Sequence, residues 1–178
     1  MAIDHLNDIE RALIDNLRLG QYNTVTPGTD TSATGNAWTN ADVTVYGQFP
    51  TTVETKYPCI ITEMAANGIE TQFMGQRLTS GSSNAVGELY GVAFNIYVSV
   101  DSKAYITIDA VQYKERRLLN YLMLNCANVL MDVDFPVATV PATVVERHFS
   151  GFRDIGYNPD LETWNAISSM VIVFKNSR

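Results

Sequence analysis

Apolar residues in the first twenty positions recur at helical spacing. Leu6, Ile9, Leu13 and Leu17 fall three and four residues apart, with Ile14 beside them, which predicts an amphipathic helix over about 4–19. Asp4 is placed to cap it, Asp8 and Glu10 suit the positive end of the helix dipole, and Gly20 stops it. The periodicity then disappears. Thr26 to Asn36 is a tract of Thr, Ser, Gly and Asn, which predicts a flexible surface loop spanning about 26–42. Trp38 closes this tract as an aromatic anchor, either for packing or for a partner.

From residue 43 the period changes to two. Val43 to Phe49 alternates as a strand does, and Tyr57 to Glu63 forms a second. Gly68 to Met74 reads as a third, joined to the second by a hairpin turn at Ala65-Ala66-Asn67-Gly68. A second flexible tip is expected at about 80–87. Leu89 to Val100 is the strongest strand, rich in aromatic and β-branched residues, and its sparse polar members suggest cover on both faces in its middle. A long helix is expected over 109–131, capped by Asp109, with Val111, Leu118, Leu119, Leu122, Met123, Cys126, Val129 and Leu130 as its apolar stripe. About 22 residues at 1.5 Å each would span roughly 33 Å, enough to cross a sheet. Thr143 to Phe149, Phe152 to Tyr157 and Trp164 to Phe174 complete the strands, with a turn at Asn158-Pro159-Asp160. Runs of strands separated by a helix predict one α+β domain over 1–178. Its sheet is mainly antiparallel, with both helices packed on one face.

Composition narrows what such a domain does. The formal net charge is -7, which opposes phosphate binding in general and argues against a reader of nucleic-acid sequence. Cys59 and Cys126 lie far apart in apolar contexts and outside any Cys-x-x-Cys pair, as buried thiols in a reducing compartment do. The first residues lack a secretory signal, and no window reaches the ~20 apolar residues of a membrane helix. A cytoplasmic site of assembly is therefore expected.

Candidate chemistry is thin. The two histidines and two cysteines show no metal-ligand spacing, and Asp132-Val133-Asp134 lacks the rest of a calcium loop. No phosphate-cradling glycine motif and no nucleophile elbow is present. His148 with Glu146 two positions earlier is the best acid–base candidate, although two such residues on a strand are simply neighbours on one face. No cofactor, metal or catalytic residue is expected. Lys114, Arg116 and Arg117, and separately Arg147 and Arg153, form small basic spots that suit either solvent or a neighbouring subunit.

The order of elements resembles the tail terminator proteins of long-tailed bacteriophages, and more widely the neck and tail-completion proteins of that fold. The likeness runs through the N-terminal helix, the Tyr57-Pro58-Cys59-Ile60-Ile61 strand and the hairpin after it. It continues through Phe94-Asn95-Ile96-Tyr97-Val98, the 109–131 helix, Arg153-Asp154-Ile155-Gly156-Tyr157 and Trp164-Asn165-Ala166. It is a likeness of elements, without a diagnostic residue motif, and the 26–42 tract is long for the family. The resemblance implies a structural virion protein and no enzyme. Such a protein forms a homo-oligomeric ring, commonly a hexamer, that caps the tail tube and docks to the head–tail connector. In contractile tails it also meets the sheath. DNA passes through its lumen without sequence recognition. Virion assembly would take place in the host cytoplasm, and no membrane is involved. On this reading Trp38, Arg116, Arg117 and Arg153 are the expected subunit-interface residues. Other readings stay open at this point: a head-closure or adaptor protein of the neck, a small enzyme using His148, or a monomeric binding module gripping its ligand with Trp38 or Tyr90.

Overall fold

A computed structural model describes residues 2–25, 32–38, 42–51, 55–73, 87–108, 110–132 and 143–177. The protein is α+β. In chain order it has α1 (Ala2–Leu19), β1 (Gln21–Val25), β2 (Ser32–Asn36), β3 (Thr44–Tyr46), β4 (Cys59–Phe73), β5 (Gly87–Asp101), β6 (Tyr105–Ile108), β7 (Val111–Lys114), α2 (Glu115–Asp132), β8 (Thr143–Phe149), β9 (Arg153–Asn158) and β10 (Thr163–Ser177). The main sheet runs β3-β4-β5-β10-β8, with β9 also paired to β10. Every pairing in it is antiparallel except β3 with β4.

The two longest partners, β5 and β10, are in unbroken register from Thr163↔Asp101 to Ser177↔Gly87. Side chains alternate across a strand. On β5 the even positions Val92, Phe94, Ile96, Val98 and Val100 are buried, while Ala93, Asn95, Tyr97 and Ser99 are only half-buried. The buried side meets the helices: Ile9, Leu13 and Leu17 of α1 and Leu118, Leu119, Leu122, Cys126, Val129 and Leu130 of α2 join those five side chains in one core. Both helices thus lie on one face, as expected, and among the described residues the other face carries none. The sparse polar residues of β5 predict cover on both sides; the half-buried odd positions correct that for one side.

Three further expectations are revised. The helix predicted from 109 begins at Glu115, because Tyr105–Ile108 and Val111–Lys114 pair antiparallel, with Ile108↔Val111 innermost. Ala110 in its turn takes φ 62°, and Glu115 takes φ 49° where strand gives way to helix. Asp109 itself lies outside the described residues. At 18 residues, α2 spans roughly 27 Å. The expected hairpin at Asn67-Gly68 does not form. Residues on either side pair with the same strand, Met64↔Phe94 and Ile69↔Val92, so the intervening residues are a bulge in one long β4. The tract read as a loop contains β2, paired to β1 from Gln21↔Asn36 to Val25↔Ser32. Residues 26–31 and 39–41, like the tip expected at 80–86, lie outside the described residues.

Trp38 fastens that hairpin to the core. It is 3% exposed, and its Nε1 donates to the Leu17 carbonyl at 2.9 Å. The Ala37 N–H donates to the Gly20 carbonyl at 2.7 Å, and the Tyr121 hydroxyl donates to the Ala37 carbonyl at 2.8 Å. Gly20 takes φ +58°, and a Cβ there would stand 2.7 Å from the indole Cδ1. A side chain at position 20 therefore meets both backbone strain and a buried ring. Replacing Trp38 by Phe keeps most of the packing but orphans a buried carbonyl, so it should cost about 1–3 kcal/mol. Gly20→Ala should also destabilise the chain, and urea unfolding of both variants checks this.

Both cysteines are free and buried. Burial pushes the Cys59 thiol up to about 12, with the Asp101 carboxylate adding to it, and burial pushes Cys126 further up. Below an ordinary thiol pKa of roughly 8.5 both the folded and unfolded chains keep these protons, and pH leaves stability unchanged through them. Above it the unfolded chain loses protons that the folded chain retains, so stability falls as pH rises toward 12. Urea midpoints between pH 8 and 11 should fall less steeply in a Cys59→Ala/Cys126→Ala variant. In the wild type, neither thiol should react with a thiol reagent before unfolding.

Candidate functional site

The open face of the sheet follows from the β5–β10 register. Asn165↔Ser99, Ile167↔Tyr97 and Ser169↔Asn95 lie side by side on it. Its polar floor is internally satisfied where it is deepest: the Ser99 hydroxyl donates to Asn165 Oδ1 at 2.6 Å, and Asn165 Nδ2 donates to Thr163 Oγ1 at 3.0 Å. Around this floor stand Phe49, Tyr97, Ile155 and Leu161, which line a groove of about 250 Å³. Phe49 meets Tyr97 edge-on with ring centroids 4.8 Å apart. Phe49, Ile155 and Leu161 are each more than half exposed, although burying a side chain of that size stabilises by roughly 1.5–3 kcal/mol.

Local structure puts these residues at the groove. The β9–β10 register shifts between Asn165 and Ala166, which leaves Ile155 as the extra residue of a bulge. Gly156 beside it takes φ +100°, and its N–H donates to Asp154 Oδ1 at 2.8 Å. Leu161 sits in the turn after β9, where Asn158 Oδ1 accepts the Asp160 N–H at 3.0 Å. A second hollow of about 290 Å³ adjoins it on the same face, lined by Asn95, Ser150, Arg153, Ile167 and Ser169 among others. There the Ser150 hydroxyl donates to the Ser169 carbonyl at 3.1 Å and accepts the Ser169 N–H at 3.1 Å.

The opposite side of the molecule has its own uncovered apolar residues. Leu124 is 65% exposed and Met131 53% exposed. They are seven apart on α2 and share its outward stripe with the exposed Arg117 and Asn120.

The four residues expected at an interface do not converge. Trp38 is a core anchor in this fold, which corrects its placement on a partner-facing surface. Arg116 is engaged within the chain: its Nη2 lies 3.1 Å from Asp154 Oδ2, and its guanidinium stands 5.8 Å over Trp164. It ties the start of α2 to β9. Arg117 is exposed and lies 4.9 Å over Tyr113, at one end of the α2 stripe. Arg153 is exposed at the wall of the second hollow. Tyr90, considered as a ligand-gripping ring, is half-buried and stacked on Phe174 at 5.7 Å.

His148 Nε2 and Glu146 Oε2 do meet, at 3.2 Å, with both side chains mostly in solvent. They lie on β8, away from both hollows. Among the described residues no three His, Cys, Asp or Glu side chains gather as a metal site, and no helix is long and apolar enough to cross a membrane. The arrangement sets an apolar groove on one side and an apolar helix ridge on the other.

No protein-family model matches the chain, and no curated protein is significantly similar to it.

The groove should bind a hydrophobic dye such as ANS. An Ile155→Ser/Leu161→Ser variant should lose most of that fluorescence while its stability stays within about 0.5 kcal/mol of wild type, as for exposed positions generally. Calorimetry and dye titration on the same samples check both halves.

Proposed function

We propose that this chain is a structural subunit of a tailed-phage particle: a tail terminator whose copies form a ring on the end of the tail tube. The ring stops tube growth and presents a docking surface to the neck. One observation carries the reading. Among the exposed large apolar side chains, Phe49, Ile155 and Leu161 group on the bare sheet, and Leu124 and Met131 share the outer side of α2. Grouped exposed apolar side chains mark interaction surfaces, and a subunit that joins its neighbours head to tail needs two different ones. The α+β order of elements supports the resemblance on which the ring rests. The acidic balance of -7 suits a lumen through which DNA slides without adhering.

On this reading the work is occlusion and docking, and no bond is made or broken. Arg117 and Arg153 remain candidates for contact between subunits, since both are exposed. Arg116 acts through Asp154, so reversing its charge would disturb the chain's own α2–β9 tie as well as any contact.

Light scattering and negative-stain imaging test the proposal on the purified chain, alone and mixed with tail tubes assembled from purified tube protein. Closed rings with a hole wide enough for duplex DNA, or caps on tube ends with arrested growth, are the expected outcome. A monomer that forms no ring and leaves tube ends bare and growing overturns it.

A further inference from the structure

We infer that the α2 ridge of one copy seats in the sheet groove of the next, so that the groove's occupant is a second copy of this chain. The inference rests on the assembling-subunit reading and names its two surfaces. Three features match. The first is shape and polarity. Leu124 and Met131, seven residues apart, stand about 10.5 Å apart along the helix. They present the i, i+7 anchors with which an amphipathic helix enters an apolar groove. The groove between Phe49, Tyr97, Ile155 and Leu161 is an apolar counterpart.

The second feature is charge. Arg117 is exposed on the same stripe one heptad before Leu124, with the exposed Lys114 at the strand end beside it. The groove's rim is acidic: Asp160 and Glu162 flank Leu161 in the turn and are both exposed. No ion pair within the described chain engages the Asp160 carboxylate. Seating Leu124 against Leu161 brings the basic end of the ridge to this acidic rim, and complementary rim charges steer and orient such a contact.

The third feature is placement. The ridge lies on the helix-covered side and the groove on the bare side of one sheet. A contact between unlike surfaces on opposite sides cannot close as a two-fold pair. It repeats head to tail, giving a ring where the rotation between copies closes and a filament where it does not.

Sedimentation velocity on complementary variants tests the pairing. Leu124→Arg disables the ridge and leaves the groove intact; Ile155→Arg disables the groove and leaves the ridge intact. Both positions are exposed, and circular dichroism with urea midpoints confirms folding. Wild type should associate with rising concentration, while each variant alone should weaken association by about tenfold or more. An equimolar mixture should form a dimer and stop there, because only one intact ridge meets one intact groove. A second pair, Arg117→Glu and Asp160→Arg, should each weaken association, and combining both in one chain should restore it. A mixture that remains monomeric, either arginine variant assembling like wild type, or a wild type that stays monomeric throughout overturns the pairing. If wild type forms rings or caps tubes while the mixture fails, this pairing falls and the terminator reading stands. If wild type does neither, the terminator reading falls with it.

Discussion

The pairing of β5 with β10 is the constraint on which the rest depends. Fifteen residues on each strand lie in continuous register, and the side-chain period of two leaves no freedom in which face each residue takes. A slip of one residue would turn Phe94, Ile96 and Val98 out of the core and bring Asn95 and Tyr97 into it. With the register fixed, every other element takes its position from these two strands. β4 follows β5 through a bulge, and β8 and β9 divide the far edge of β10 between them. The break between β8 and β9, at Ser150 to Phe152, is where the second hollow opens. The bulge within β9 is where Ile155 enters the groove. Irregularities in the edge strands shape the surface, and the regular pair in the centre decides which surface they shape.

The helix layer closes on a small number of polar contacts. The Trp38 indole bonds to the end of α1, and the Tyr121 hydroxyl bonds from α2 to the residue before Trp38. Together they join α1, α2 and the β1–β2 hairpin. Leaving these groups unbonded in the interior would cost more than their bonds contribute, which makes this junction specific. Arg116 plays a related part at the surface, reaching Asp154 at 3.1 Å while both side chains stay partly in solvent. Such a pair is worth less than about 1 kcal/mol, so it orients the end of α2 more than it stabilises the fold.

How much could be read beforehand depended on whether the signal was local. α1 was legible because Leu6, Ile9, Leu13 and Leu17 keep a helical period without competition. β5 and β10 were legible because long β-branched and aromatic runs favour a sheet. The start of α2 was misplaced because Asp109 resembles a cap and Val111 falls into phase with Leu118. The alternation of Ile106, Ile108, Val111 and Tyr113, which marks the β6–β7 hairpin, was the competing signal. β2, Ser-Ala-Thr-Gly-Asn, has no apolar pattern and is a strand only through its pairing with β1. Residues 59–73 read as two strands because Asn67-Gly68 favours a turn locally, whereas pairing of both halves with β5 is a long-range effect. The surface residues followed the same rule. Arg117 and Arg153 could be chosen as exposed charges from sequence. Phe49, Tyr97, Ile155 and Leu161 could not be grouped, because only the register and a bulge bring them together. Trp38 carries no mark in the sequence to separate a core indole from a surface one; the glycine at position 20, whose missing side chain makes room for it, looks locally like a helix stop alone.

Acidity constrains the form that the proposed assembly can take. A chain of net charge -7 repels its own copies, most strongly at low ionic strength, where the screening length is roughly 30 Å at 0.01 M. Apolar contact alone would have to overcome that repulsion without choosing an orientation. A contact that sets the basic end of α2 against the acidic turn at Asp160 turns part of the repulsion into a preference for one arrangement. In the proposed pairing, assembly would respond to salt in two opposing ways: screening would weaken the specific pair and relieve the general repulsion. The apolar core of the contact would supply the free energy, and the charges would select head-to-tail over face-to-face packing. A face-to-face pair of grooves would bring two acidic turns together over one apolar cleft, an arrangement in which like charges oppose what the hydrophobic surfaces favour.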